Sequence, residues 1–90
     1  MSELDKLENF LKENGIEYER IDEEGTWGRH QIVVFGKDGQ KGWDAICQRG
    51  SWGYKEGLLE IYGIIVDRKK DGDSVVGWLT AEEVIKRIKQ

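Results

Sequence analysis

The stretch Gln48 to Gly57, QRGSWGYKEG, is where the residue types of this chain come closest to a ligand site. Gly50, Gly53 and Gly57 allow a tight loop whose backbone N–H groups converge. If that loop opened a helix, it would aim a positive helix end at a phosphate or carboxylate. Arg49 and Lys55 would add charge, Ser51 a hydroxyl, and Trp52 or Tyr54 a stacking surface. The stretch lacks the Gly-Lys-Ser/Thr ending of a P-loop and the glycine spacing of a dinucleotide fingerprint. The plainer alternative is a tight turn with Ser51 capping the following helix.

Other groupings carry less. His30 and Cys47 are expected as cross-strand neighbours, which would suit a thiolate–imidazole pair. They sit among Ile32, Val34 and Ala45, however, where a lone cysteine behaves as a small buried hydrophobe. One His and one Cys are too few soft ligands for zinc, so no metal site is expected. Asp67, Asp71 and Asp73 have Arg68, Lys69 and Lys70 between them and no closing Glu, so turn chemistry explains them better than calcium. Of the four tryptophans, Trp43 fits a core position, and Trp78 could staple the start of the last helix. Trp27 and Trp52 lie in Gly-flanked loops, where an exposed indole is a common anchor for a partner and a lid over the thin core is the equal alternative.

The elements that must position these residues can be read from periodicity. Ser2 and Asp5 open an amphipathic helix over 3–14 with Leu4, Leu7, Phe10 and Leu11 on one face, and Asn14-Gly15 stops it. Residues 16–22 alternate as a half-exposed strand. A stronger strand, 30–35, turns through Lys37-Asp38-Gly39-Gln40 into a third. That turn sets Val34 against Trp43, Ile32 against Ala45 and His30 against Cys47. The opposite face, with Gln31, Val33, Phe35, Asp44 and Ile46, is mixed. Leu58, Ile61, Tyr62 and Ile65 predict a second helix from about Tyr54, although Gly63 weakens its end and 64–66 could be a short strand. Residues 67–74 read as a solvated loop or hairpin tip and 75–79 as a short extended segment. Thr80 to Glu83 is a capping box for a last helix carrying Val84, Ile85 and Ile88. The expected fold is α+β: a three- or four-stranded antiparallel sheet with three helices on it, in the order α-β-β-β-α-(β)-α.

Ninety residues are the size of one domain, 1–90. A net charge of −4 disfavours a sequence-independent grip on nucleic acid, which needs many cations against phosphates. The single cysteine leaves no internal disulfide to form. MSELDKLENF is acidic and amphipathic, unlike a signal peptide, and the apolar runs are far too short to span a bilayer. A cytoplasmic location and no membrane partner are expected.

The string WDAIC-x-x-GS-x-GY-x-x-GLLE over Trp43–Glu60, followed by G-x-LTAEEV over Gly77–Val84, resembles small proteins encoded by phages and prophages of Gram-positive bacteria. The resemblance implies antagonism of host defence, either by plugging a nuclease or by sequestering a nucleotide signal. With no catalytic set in view, the expected function is non-enzymatic binding of a host or bacterial protein, without a cofactor. The alternative is an anionic nucleotide held by 49–57, and a homo-oligomer is compatible with either. The expected binding residues are Arg49, Gly50, Ser51, Trp52, Gly53, Tyr54, Lys55 and Trp27.

Overall fold

In a computed structural model, which describes residues 1–36 and 38–89, the chain opens with helix α1, Glu3–Glu13. Its start is the capping box read from the sequence. Ser2 Oγ accepts from the Asp5 N–H at 3.0 Å, and Asp5 Oδ2 accepts from the Ser2 N–H at 3.2 Å. Leu4, Leu7 and Leu11 are buried on one side. Five strands follow: β1 Tyr18–Glu23, β2 Arg29–Phe35, β3 Lys41–Ile46, β4 Leu59–Gly63 and β5 Val75–Leu79. They pair antiparallel in chain order, β1-β2-β3-β4-β5. Helix α2, Arg68–Asp71, is a single turn between β4 and β5, and α3, Ala81–Lys89, closes the chain.

The β2–β3 register is the expected one. Val34 opposes Trp43, Ile32 opposes Ala45, and the Cys47 N–H donates to the His30 carbonyl at 3.0 Å. The turn differs from a two-residue hairpin. The Gly36 N–H reaches the Gln40 carbonyl at 2.6 Å, and a bulge makes Phe35 oppose Lys41. Lys37, part of the expected turn, lies outside the described residues.

Two expectations are corrected. The sheet has five strands rather than three or four, because the helix expected from Tyr54 does not form. A 3₁₀ turn over Tyr54–Glu56 ends at Gly57, whose φ is +71°, and β4 follows. Leu59 and Ile61 point into the core while Glu60 and Tyr62 point away. Period 2, not 3.6, is the pattern the backbone uses here. Gly63 ends β4 where a Cβ would overlap the Gly42 carbonyl and the Trp43 Cα. Residues 64–66 form no strand. Within the expected 67–74 loop, Asp67 caps α2 by accepting from the Lys69 and Lys70 N–H groups.

α1 and α3 lie against the sheet face that presents Ile32, Val34, Trp43, Ala45, Leu59 and Ile61, and the core closes between them on Leu7, Leu11 and Val84. Ion pairs tie the layers at the rim. Arg20 of β1 bonds Asp5 at 2.8 Å and Glu8 at 3.0 Å on α1. Glu3 accepts the Ala81 N–H at 2.7 Å, joining the two helix starts. That bond, helped by Lys6, holds the Glu3 carboxyl below its usual range. On the opposite sheet face the centre is closed by polar contacts. Gln31 donates to Asp44 at 2.6 Å and Lys41 pairs with the same Asp44 oxygen at 3.2 Å, leaving Gln31 and Asp44 each only 8% exposed.

Candidate functional site

The connections β1–β2 and β3–β4 meet at one end of the sheet, and the expected site residues collect there. The Arg49 guanidinium lies 4.8 Å from the centre of the Trp27 ring and donates to the Thr26 carbonyl at 3.3 Å. Arg49 thus clips the two loops together, while Trp27 itself stays 74% exposed. Between the loops is a cleft of about 450 Å³ lined by Glu24, Thr26, His30, Arg49 and Tyr54. A second, more apolar hollow of about 400 Å³ shares Arg49 and Tyr54 with the first, and adds Trp52, Lys55 and Trp78.

Trp52 and Trp78 form the centre of this second hollow, with ring centroids 5.2 Å apart and planes tilted by 39°. Both indoles remain more than half exposed. The expectation that Trp78 staples α3 is therefore corrected. A bulge in β5 sets Gly77 and Trp78 together opposite Glu60, and Trp78 takes φ +55°. The loop backbone is fixed against the bulge. The Trp52 N–H donates to Glu60 Oε1 at 2.9 Å, and the Trp78 N–H to the Trp52 carbonyl at 3.3 Å. Two glycines make this approach possible. A Cβ on Gly77 would overlap the Cβ of Trp52, and one on Gly53 would lie 3.0 Å from the Trp78 Cα. Sequence reading missed Trp78, Gly77 and Glu60 as partners of Trp52. The available signal was Gly77 beside an aromatic within a short strand.

The anion cradle is not assembled as the sequence suggested. Ser51 does not cap a helix. Its hydroxyl donates to the Gln48 carbonyl at 2.7 Å and accepts the Gln48 N–H at 3.0 Å. The N–H groups of Ser51, Tyr54, Glu56, Gly57 and Leu58 donate to carbonyls within the same connection. These bonds belong to turns, and the 3₁₀ turn begins at Gly53 with φ +96° and no side-chain cap. Gly50 likewise has φ +94°, a conformation that glycine adopts without strain. Lys55 lines the hollow but joins no ion pair among the described residues.

His30 and Cys47 are neighbours through their backbones, but the imidazole is directed elsewhere. Nδ1 lies 2.9 Å from Asp22 Oδ1. That contact, with Arg20 beside it, keeps the Asp22 carboxyl below its usual range. Burial pushes the Cys47 thiol up, opposite to what an activated nucleophile needs. Among the described residues no three His, Cys, Asp or Glu side chains are grouped to hold a metal ion, and no helix is long and apolar enough to cross a membrane. No protein-family model, curated protein or solved structure matches this chain.

Proposed function

We propose that this chain is a non-enzymatic protein-binding module whose contact surface is the Trp52–Trp78 pair, with Tyr54, Arg49 and Trp27 at its rim. The observation that carries the reading is the backbone of Trp78. It is the one non-glycine residue at positive φ among the described residues. An L-residue pays roughly 1–2 kcal/mol for that conformation, and such strain clusters at functional positions. Here the strain does not bury the indole. It holds a large aromatic half exposed, tilted against another, in a geometry that two glycines are needed to permit. Trp, Tyr and Arg are also the residue types that dominate binding energy when they fill a partner's pockets. Because the pair is already assembled, a partner pays little to order it. The resemblance to phage proteins would make that partner a host-defence protein.

The test compares cross-linked capture from bacterial lysate by the wild-type chain and by Trp52→Ala/Trp78→Ala, with nucleotides screened in parallel by thermal shift. A protein retained by the wild type and lost by the folded double variant is the expected result. Undiminished capture by that variant would refute the surface. A nucleotide shift without any captured protein would favour the small-ligand alternative, with Arg49 and Lys55 as its charges.

A further inference from the structure

The two edges of the sheet are built differently. β1 carries Glu19, Arg20, Asp22 and Glu23, four charges in six residues. Charge is one way natural sheets keep an edge from pairing with another chain. β5 forms the other edge, with β4 as its one strand neighbour among the described residues, and Val75–Leu79 hold neither a charge nor a proline. The bulge and the Trp78 N–H bond to Trp52 end the regular part of this edge, leaving Ser74–Gly77 as the stretch able to pair. Charges stand on both sides of it. α2 before it supplies Arg68, Lys69 and Lys70, with Asp67 engaged in capping the helix, Asp71 on Arg87, and Asp73 next to the strand. The first turn of α3 after it supplies Glu82 and Glu83. None of the ion pairs within the described residues uses Lys69, Lys70 or Glu82.

We infer that β5 pairs antiparallel with β5 of a second copy, about a twofold axis at Val75, joining two five-stranded sheets into one. The backbone N–H and C=O of Val75 face the free edge, while those of Val76 face Ile61 of β4. The inference rests on reading the chain as a binding module and names a second copy as one of its partners. A twofold axis makes the interface self-complementary: whatever precedes the strand in one copy lies beside whatever follows it in the other. Lys69 and Lys70 of each copy therefore stand toward Glu82 of the other, at both ends of the joined strands. A parallel pairing would set like charges together, which is why the antiparallel arrangement is chosen. The paired stretch is short, so the interface falls below the standard size of about 1,600 Å² and the dimer dissociates on dilution. It runs along the sheet edge and leaves the outward faces of both Trp52–Trp78 pairs open. The joined sheet presents them on one face, about 20 Å apart along the strand direction by strand rise.

Light scattering on the full chain, from about 10⁻⁶ to 10⁻³ M, should move from the monomer mass of 10.4 kDa toward twice that value. Val75→Lys gives this edge a charge of the kind β1 already has, and should hold the mass at monomer with the fold intact by circular dichroism. Lys69→Glu/Lys70→Glu alone and Glu82→Lys alone should each be monomeric, and mixing the two should restore the dimer. In the wild type, exchange of the Val75 amide, which faces the free edge, should slow as concentration rises, a readout that survives if Val75→Lys unfolds. A wild type that stays monomeric, or a dimer untouched by both the edge and the charge variants, would overturn the pairing. Capture by the Trp pair is read separately. A monomeric wild type whose capture still depends on Trp52 and Trp78 sinks the pairing alone, and a dimer whose capture ignores them sinks the platform alone.

Discussion

Replacing Gly77 with alanine tests whether the Trp52–Trp78 pair is a built feature or an accident of two nearby indoles. The new Cβ would overlap the Trp52 Cβ and stand 3.0 Å from the Trp52 carbonyl oxygen. Neither atom is the free end of a flexible side chain, so backbone must move. If β5 holds its place against the core, the loop is pushed off the sheet. It then gives up the Trp52 N–H bond to Glu60 and the Trp78 N–H bond to the Trp52 carbonyl, each worth about 1 kcal/mol or less at an exposed position. It also gives up the indole contact, about 0.5–1.5 kcal/mol. If the loop holds instead, the compressed contact costs about 1–3 kcal/mol. Both routes arrive near 1–3 kcal/mol, which in a domain of this size lowers Tm by roughly 5–20 °C. The same variant should weaken the near-ultraviolet dichroism that two coupled indoles produce, and should reduce partner capture even where the protein is fully folded. Thermal melts and near-ultraviolet spectra of Gly77→Ala against wild type decide the matter. An unchanged Tm together with an unchanged near-ultraviolet spectrum would refute the close approach on which the site is built.

The two faces of β2 predict different losses. Val34→Ala or Trp43→Ala should cost about 2–5 kcal/mol by opening cavities in the core, whereas Phe35→Ala, at a residue 44% exposed, should cost about 1 kcal/mol or less. Urea titrations giving equal losses at Val34 and Phe35 would contradict the one-sided core. Asp71 pairs with Arg87 at 2.9 Å through both guanidinium nitrogens, and that pair, with the Asp67 N–H, holds the Asp71 carboxyl below its usual range. Because the folded-state pKa is depressed, the contribution is fully present above the ordinary carboxyl value of about 4 and is lost as pH falls through the depressed one. Asp71→Asn should therefore flatten the acid limb of the stability curve while lowering stability near neutrality. Melts from pH 2 to 7, in steps of about one unit, check this, and parallel curves for the two proteins would refute it.

Much of the frame was legible because local chemistry and global packing agree there. Ser2 with Asp5 and Thr80 with Glu83 satisfy helix N–H groups wherever those helices lie. The Glu83 N–H donates to Thr80 Oγ1 at 3.2 Å and the Thr80 N–H to Glu83 Oε1 at 3.0 Å. The β2–β3 register followed from side-chain alternation, since a slip by one residue would turn Ile32 and Val34 to the wrong face. Alternation even survived a turn of different length, because a bulge at Gly42, opposite the Val34–Phe35 step, absorbed the difference.

The sequence by itself determined the two long helices, their caps and the central hairpin. These depend on neighbours a few residues apart. Only the tertiary structure decided β4 and the partner of Trp52. Leu58, Ile61, Tyr62 and Ile65 suit a helix, and Leu59 and Ile61 suit a strand. The tie was broken by β3, whose second edge needs a partner for its backbone groups, and by Gly63, which lets the chain pass close to Gly42 and Trp43. The aromatic pair required still more distant information. It joins a loop to a bulge 26 residues later, and the bulge exists because β5 must keep both Val76 and Leu79 in register with β4. No local propensity places a tryptophan at φ +55°, so that position had to be decided by the sheet around it.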